Sequence, residues 1–145
     1  MKKTKTAIIL ITIFIITSFA NFTTAQNKKI DCEKAVTQMD LNFCAIYRYE
    51  KAQKNMDELY SKLLKIIKER QNDFANGNPL TGKKFVDNFV DSQKQWKKYR
   101  ESFVSFYSSI YQGGSMKPMV HFNTMTTITK ERIKELKDLF EEFSM

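Results

Sequence analysis

The chain has 145 residues, of which 28% are charged and 42% hydrophobic, and it contains only four glycines and two prolines. This composition excludes collagen-like and low-complexity proteins and predicts one ordered domain. An all-β fold is disfavoured because its many turns need more glycine and proline. The formal net charge is +8, from 24 basic and 16 acidic side chains. We therefore predict a small, basic, all-α domain.

Residues 1–25 have the three parts of a secretory signal peptide. Three lysines precede an apolar run from Ala7 to Ile16, and small residues then allow cleavage after Ala20 or after Ala25, of which we favour Ala25. The apolar run is shorter than the ~20 residues that span a bilayer, so we expect cleavage and no stable membrane anchor afterwards. The predicted organisation is a signal peptide at 1–25 and an exported helical domain at 26–145.

Cleavage changes the charge of the protein. It removes three lysines and no acids, which lowers the basic count from 24 to 21 against 16 acids and leaves a net charge of +5. The lysines are spread along the chain, as expected for solvated helix faces. Basic residues beside Trp96 could stack nucleic-acid bases, but Trp96 falls on an apolar stripe and export separates the protein from nucleic acid. We expect no nucleic-acid partner.

Cys32 and Cys44 both lie in the exported part. An even number of cysteines in a small exported domain predicts one disulfide between them. Two free thiols or a metal site are the alternatives, and no histidine or third cysteine lies nearby to support them. A continuous helix would separate the two Cα atoms by ~18 Å, whereas a disulfide needs them within ~7 Å. The chain must therefore reverse between them, and Thr37 is the predicted point.

The first long helix is predicted from about Gln38 to about Asp73, because apolar residues recur there at three- and four-residue steps. Thr37 and Asp40 form a variant of the capping box at its start. Asp31 can cap a short additional helix over Cys32 to Val36.

The second helix follows a loop at 76–82 and should end at Gly113–Gly114. Its stripe of large side chains consists of Phe85, Phe89, Gln93, Trp96, Arg100, Phe103, Tyr107 and Ile110. Pro118 lies near the first position of a third helix, in which Thr129 leaves open a break before a separate fourth helix. Helices joined by short loops pack antiparallel. We predict an elongated antiparallel three- to four-helix bundle with one disulfide and one core under these stripes.

Catalytic side chains are scarce. His121 is the only histidine, and disulfide-bonded cysteines cannot act as nucleophiles. The acid pairs Asp57–Glu58 and Glu141–Glu142 fit ordinary helix surfaces, and Gly113–Gly114 lacks the lysine and the preceding strand of a phosphate-binding loop. We expect no enzymatic activity, no metal and no cofactor.

Six motifs occur in order along the chain. They are Cys32; Thr37-Gln38-x-x-Leu41-Asn42-x-Cys44-Ala45; Asp57-Glu58-Leu59-Tyr60-x-x-Leu63; Ser92-Gln93-x-x-Trp96-x-x-Tyr99-Arg100; Gly113-Gly114-Ser115; and Thr129-x-x-Arg132-x-x-x-Leu136. In this order they resemble the LprI-like lysozyme-inhibitor N-terminal domain family of exported bacterial proteins. The resemblance covers nearly all of 26–145. It implies a disulfide-held helical domain in the periplasm or outside the cell, and it implies lysozyme inhibition through the member that names the family.

Two features depart from the family pattern. Many relatives carry a second cysteine pair, and here Phe103 and about Thr124 stand near those places. The lipoprotein signal of the name-giving member is also missing, which favours a soluble protein. An inhibitor of a basic animal-type lysozyme gains association rate from an acidic face. We therefore expect a local acidic patch at Asp57–Glu58 or at Glu141–Glu142, or a less basic target.

Gln93, Trp96 and Arg100 lie on one helical face, and two roles are open for them. Arg and Trp dominate binding hot spots, which favours a recognition surface anchored by Arg100. In the structural alternative, which we favour, Trp96 fills the core while Gln93 and Arg100 bond to the neighbouring helix or to the Gly113–Gly114 turn.

Two further motif residues have predicted structural roles. Asn42 should tie the segment of Cys32 to the long helix, and Arg132 should pair with Asp57 or Glu58. For function we predict an exported non-catalytic binding protein that inhibits lysozyme or another cell-wall hydrolase. The alternative is a structural or stress-related envelope protein that binds anionic surfaces.

Overall fold

The computed structural model describes residues 30–73, 75–76 and 78–144, so the predicted signal peptide and its cleavage site lie outside the described residues. The described chain forms three α-helices, which are α1 (Gln38–Glu69), α2 (Pro79–Ser109) and α3 (Lys117–Ser144), and it contains no strand. The predicted all-α bundle is confirmed. No helix in this part of the chain is long and apolar enough to cross a membrane.

Helix α1 begins at the predicted cap. The Thr37 hydroxyl accepts a hydrogen bond from the Asp40 backbone N–H at 3.1 Å and donates to the Asp40 carboxylate at 2.7 Å. This exchange satisfies a backbone donor that the first turn of a helix leaves without a partner. Cys32, which precedes the cap, and Cys44, in the second turn of α1, form the predicted disulfide with a Cα–Cα distance of 5.6 Å. The chain reversal deduced from the cysteine spacing is therefore present.

The short helix predicted over Cys32 to Val36 is not formed. The segment is a turn, in which the Asp31 side chain accepts from the Glu33 N–H and the Asp31 carbonyl accepts from the Lys34 N–H, both at 3.1 Å. Asp31 thus closes a local turn instead of capping a helix. Helix nucleation is costly, and five residues followed by a reversal cannot recover that cost.

The loop between α1 and α2 folds back onto the first turn of α2. α1 ends at Glu69, about one turn before the predicted end at Asp73, and successive turns follow. Asn78 caps α2 by accepting from the Leu80 N–H at 3.0 Å. A Cβ on Gly82 would lie 2.5 Å from the carbonyl oxygen of Gln71. The loop can pack this closely only because residue 82 has no side chain.

Helices α1 and α3 run parallel to each other and share the most extensive interface, while α1 and α2 touch least. Gln38 and Met119 meet near the start of both helices, where the amide nitrogen lies 3.8 Å from the thioether sulfur. Arg70, just after α1, donates to the carbonyl of Phe143 near the end of α3 at 2.8 Å. Consecutive helices are antiparallel, as predicted.

Helix α3 is continuous through Thr129, so the fourth helix left open by the sequence does not form. The β-branched stretch is tolerated because Thr126 donates its hydroxyl hydrogen to the carbonyl of Phe122 at 2.7 Å and Thr129 is fully buried. α2 ends at Ser109, earlier than the predicted Gly113–Gly114, and Gly113 instead forms part of the following turn with φ of +80°.

The core consists of two buried clusters along the bundle. The first is built on Met56, Leu63 and Leu136, and the second on Val104, Met125 and Ile128. Trp96 is half-buried and packs against both clusters. The two clusters form one continuous core through this indole.

The predicted core stripe of α2 is wrong in its last turns. Phe103, Tyr107 and Ile110 are 38%, 39% and 68% exposed, whereas Val104 and Ser108 beside them are buried. At this end α2 is turned so that Ser108 faces His121 of α3, with 3.3 Å between the hydroxyl and Nδ1. The apolar stripe is wider than the surface that α3 covers, so its other edge faces solvent.

Candidate binding site

A buried arginine joins all three helices near the middle of the bundle. Arg100 of α2 is 3% exposed, and its Nη1 donates to the side-chain oxygen of Gln53 on α1 at 2.6 Å and to the Thr129 hydroxyl on α3 at 3.0 Å. The Glu101 carboxylate lies 4.0 Å from Nη2. A charged group out of water needs such partners. Arg100 therefore fixes how the three helices meet.

Two aromatic rings flank the same guanidinium. Its carbon lies 4.7 Å from the centre of the Trp96 ring and 5.6 Å from that of Tyr49, which is within the range of cation–π attraction. Within the described residues Nε of Arg100 has no hydrogen-bond partner. Burial raises the pKa of the Tyr49 hydroxyl, although the positive charge of Arg100 acts in the opposite direction. The phenol is therefore neutral and packs as a hydrophobic wall.

Gln93 lies two turns before Arg100 on α2 and connects α2 to α1 and α3. It is 3% exposed, its Nε2 lies 2.9 Å from the sulfur of Met56, and its Oε1 accepts from Nε of Arg132 at 3.1 Å. Arg132 also donates to Ser92 at 3.2 Å and pairs with Glu135 at 2.7 Å. These contacts make Gln93 a link between α1 and α3.

The predicted pairing of Arg132 with Asp57 or Glu58 is wrong. Arg132 faces α2 and takes its acid from the next turn of its own helix. Asp57 is on α1 and lies 3.7 Å from Lys97, while Glu58 lies 3.9 Å from Lys54. Pairs within one helix or across the nearest interface therefore satisfy these charges.

Gln93 and Arg100 bond to neighbouring helices, which is the structural arrangement favoured by the sequence, and neither contacts the Gly113 turn. Because both are almost fully buried, a partner molecule could reach this group only at the exposed part of Trp96. The binding role of the three residues stays a prediction.

Asn42 was predicted to tie the segment of Cys32 to α1, but it contacts a different segment. Its Nδ2 donates to the carbonyl of Ser115 at 3.1 Å, and its Oδ1 accepts from Gln38 at 2.9 Å. It therefore holds the start of α1 to the turn between α2 and α3, and not to the segment of Cys32. The disulfide already holds that segment.

A shallow, open groove on α1 lies next to Arg100. Its lining residues are Tyr49, Glu50, Gln53, Lys54, Asp57, Glu58, Ser61 and Lys62. Gln53 links the groove to the network beneath it, since it accepts from Arg100 and donates to Asp57 at 2.8 Å. The sequence predicted Asp57 and Glu58 as an acidic patch but missed Glu50, Tyr49 and Gln53. The sequence feature that could have identified Tyr49 and Gln53 is their four-residue spacing from Asp57, which places all three on one helical face.

The other predicted acid pair lies apart from this groove. Glu141 and Glu142 are exposed near the end of α3. Glu142 shares a helical face with other exposed acids at three- and four-residue steps, which are Glu131, Glu135 and Asp138. The structure thus places the two predicted acid pairs on separate surfaces, one on α1 and one on α3.

No group of three or more His, Cys, Asp or Glu side chains in the described residues could hold a metal ion. His121 of α3 lies beside Ser108 of α2. Burial lowers the pKa of His121, and the positive charge of Lys117 lowers it by a smaller amount. The imidazole contacts the Ser108 hydroxyl and the ring of Phe122.

The chain is similar to known sequences over most of its length. The family model described as lysozyme inhibitor LprI matches residues 31–136. An uncharacterized protein of Rhizobium meliloti (strain 1021) is 29% identical over 117 residues, which are 81% of this chain and 84% of that protein. No solved structure matches the chain.

Proposed function

Because the chain belongs to the lysozyme inhibitor LprI family, we propose that it is an exported, non-catalytic binding protein that inhibits lysozyme or another cell-wall hydrolase. The match over residues 31–136 is the observation that carries the proposal. It includes the disulfide, all of α1 and α2 and most of α3. The whole folded unit therefore supports the assignment.

We further propose that the protein acts in the periplasm or outside the cell. Residues 1–25 have the sequence of a signal peptide. The Cys32–Cys44 disulfide supports the same compartment, since such bonds persist where the environment is oxidising. Cell-wall hydrolases act in that compartment, so inhibitor and target could meet.

The α1 groove is the surface that we assign to the hydrolase. Three exposed acids, Glu50, Asp57 and Glu58, line the groove beside two lysines, Lys54 and Lys62. A basic enzyme would be steered toward the carboxylates and would exchange their lysine partners for its own. Arg100 lies behind the groove and holds Gln53, which in turn bonds Asp57. In this arrangement Arg100 positions the groove without touching the target.

Rigidity of the groove supports a binding role. A surface whose side chains are already held loses less conformational entropy when a partner binds. Tyr49 contributes to this order, because its hydroxyl donates to Gln53 at 3.3 Å and its ring packs against Phe122 with 5.7 Å between centroids. The rings and amides behind the carboxylates are therefore preorganised.

An inhibition assay tests the proposal. The protein, expressed with its complete N-terminal segment and purified after processing, is added to a basic animal-type lysozyme and, separately, to a less basic bacterial hydrolase acting on cell walls. We expect inhibition of one of them at micromolar protein or below, weakening as salt is added because exposed charges are screened. Absence of inhibition of both enzymes at micromolar protein would remove the claim.

Charge reversal locates the surface. One variant carries Asp57→Lys with Glu58→Lys, and its matched control carries Glu141→Lys with Glu142→Lys, so both change the net charge equally. We expect the inhibition constant to rise at least ~10-fold for the first pair only. The reverse result would place the target on α3, and two unaffected variants would reject both acidic surfaces while leaving inhibition itself intact.

A second candidate function is binding to anionic surfaces. Lys130, Lys134 and Lys137 are exposed at three- and four-residue steps on α3 and form a short basic face. Binding to vesicles of anionic lipid that is lost at high salt, and lost on changing all three lysines to glutamate, would support it. Retention of binding in that variant would exclude this face.

A further inference from the structure

Charge is distributed unevenly between the two ends of the bundle. Residues 36–47 and 102–129 contain a single acid, Asp40, and a single lysine, Lys117, with His121 as the only other ionisable side chain besides the disulfide-bonded Cys44 and the tyrosines. Contacts between α1 and the start of α3 place both segments at the same end of the molecule. We call these two segments the uncharged end. The charges of the three helices are concentrated in the other part of the bundle.

Large hydrophobic side chains are exposed on the uncharged end. On α1, Met39 and Phe43 are 66% and 53% exposed. On α2, Phe106 and Ile110 are 69% and 68% exposed, and Phe103 stacks on Tyr107 with ring centroids 6.2 Å apart. Nine of the twelve large hydrophobic side chains that are exposed among the described residues belong to this end. Exposed apolar surface that is concentrated in this way marks an interaction site.

The exposed residues of α1 and α2 flank the same cleft. The bond between Gln53 and Arg100 shows which faces of the two helices are turned toward each other. Met39 and Phe43 continue the face of Gln53 at three- and four-residue steps. Tyr107 and Ile110 continue the face of Arg100 in the same way. Beyond the Gln53–Arg100 bond, these faces are therefore open and apolar on both sides.

We propose that the uncharged end is the interface of a homodimer, with a second copy of this chain as its occupant. In a two-fold symmetric contact the same patch meets itself, so a patch with a net charge would repel its copy. With a predicted net charge of +5 for the exported domain, most of the surface repels a second copy.

Asp40 and Lys117 are the only charged side chains of the two segments. Asp31, Glu33 and Lys34 adjoin them on the segment that the disulfide holds to Cys44, and Arg48 adjoins them through its bond to Asn123. Three acids and three bases then cancel at this end, so two copies can approach here without a net repulsion.

The area and composition of the patch fit a dimer. With about 200 Å² for a fully exposed large side chain, the nine exposed side chains of this end amount to roughly 1,000 Å² when all their directions are counted, so a dimer would use most of them. A standard specific interface needs about 800 Å² from each partner. Phe, Tyr and Met are enriched in interface cores and charged residues are depleted there. The groove lining begins at Tyr49, outside the uncharged end, so dimerisation is independent of the proposed inhibition.

Sedimentation velocity tests this inference. The processed protein is compared with Phe106→Lys and with the control Leu80→Lys, whose side chain is 72% exposed at the opposite end of the bundle. We expect the unchanged protein and the control to sediment as dimers. We expect Phe106→Lys to raise the dimer dissociation constant at least ~100-fold, because each dimer would bury two unpaired charges.

Ile110→Lys serves as a second variant, and circular dichroism of both variants confirms that the helices are retained. A monomeric unchanged protein at about 100 μM would overturn the inference, as would an equal loss of association in the Leu80→Lys control. Flotation with zwitterionic vesicles separates a lipid surface from a second copy. Vesicle binding by a monomeric protein, abolished by Phe106→Lys, would assign this end to a membrane and reject the dimer.

Discussion

Arg100 and Trp96 lie one turn apart on α2 with 4.7 Å between the guanidinium carbon and the centre of the indole. The guanidinium also bonds α1 and α3, and the indole packs against both halves of the core. A single helical turn therefore contains the polar and the apolar contacts that hold three helices together. Since Trp96 is the only tryptophan, its fluorescence reports directly on this junction.

Arg100→Ala should destabilise the protein by about 2–4 kcal/mol, because the buried groups on Gln53 and Thr129 lose their donor and Trp96 loses a packing surface. Urea unfolding followed by Trp96 emission measures the change. Lys98→Ala, an exposed neighbour, is the control and should change stability by no more than about 0.5 kcal/mol. Equal stability of the two variants would show that the Arg100 contacts do not support the fold.

Replacing both cysteines, as Cys32→Ala with Cys44→Ala, should lower the free energy of unfolding by about 3 kcal/mol. The disulfide closes a loop with a sequence separation of 12, and its loss releases that constraint on the unfolded chain. Thermal unfolding with and without reductant provides the measurement. Reductant should destabilise the unchanged protein and leave the double variant as it is; insensitivity of the unchanged protein would mean that the bond is absent.

His121 should make stability depend on pH. Burial and the charge of Lys117 lower its pKa, so the folded protein binds fewer protons there than the unfolded chain. The contribution is complete above about pH 6.5, the ordinary pKa of histidine, and the free energy of unfolding decreases as pH falls below it. His121→Gln should flatten the profile in this range. An unchanged slope in urea titrations at several pH values would contradict this assignment.

Gly82→Ala should destabilise the protein by about 1–3 kcal/mol, although alanine is the better helix former. The added methyl would lie 2.5 Å from the Gln71 carbonyl oxygen and 3.3 Å from the Ala75 side chain. The gain in helix propensity is only about 1 kcal/mol. Lys84→Ala, exposed two residues further along on the other side of the helix, should be nearly neutral. Stabilisation by Gly82→Ala would show that the loop moves freely away from α2.

Local patterns predicted the helices well. The cap at Thr37 and the position of Pro118 near the start of α3 agree with the structure, whereas α2 begins at Pro79, inside the predicted loop at 76–82. Errors occurred where a local signal competes with long-range contacts. Asp31 had the chemistry of a helix cap but closed a turn beside the disulfide, and Thr129 had the chemistry of a break but is held by Arg100.

The candidate site was only partly predictable for the same reason. Periodicity placed Gln93, Trp96 and Arg100 on one face, and it identified Asp57 as an exposed acid. It could not show that Gln53 connects them, because Gln53 is separated from Arg100 by 47 positions and carries no motif of its own. Its role arises only when the two helices are side by side.

The amino-acid sequence by itself determined that this chain forms an antiparallel bundle of long helices with one disulfide, because capping residues, apolar spacing and loop chemistry act over a few neighbouring residues. It left the number of helices at three or four, and the structure has three. Only the tertiary structure decided that α1 and α3 share the largest interface, that Arg100 is buried where the three helices meet, and that Phe103 and Ile110 face solvent. A stripe of apolar side chains specifies which face of a helix avoids water. The angle at which the helices cross decides which neighbouring helix covers that face and over what length of the helix.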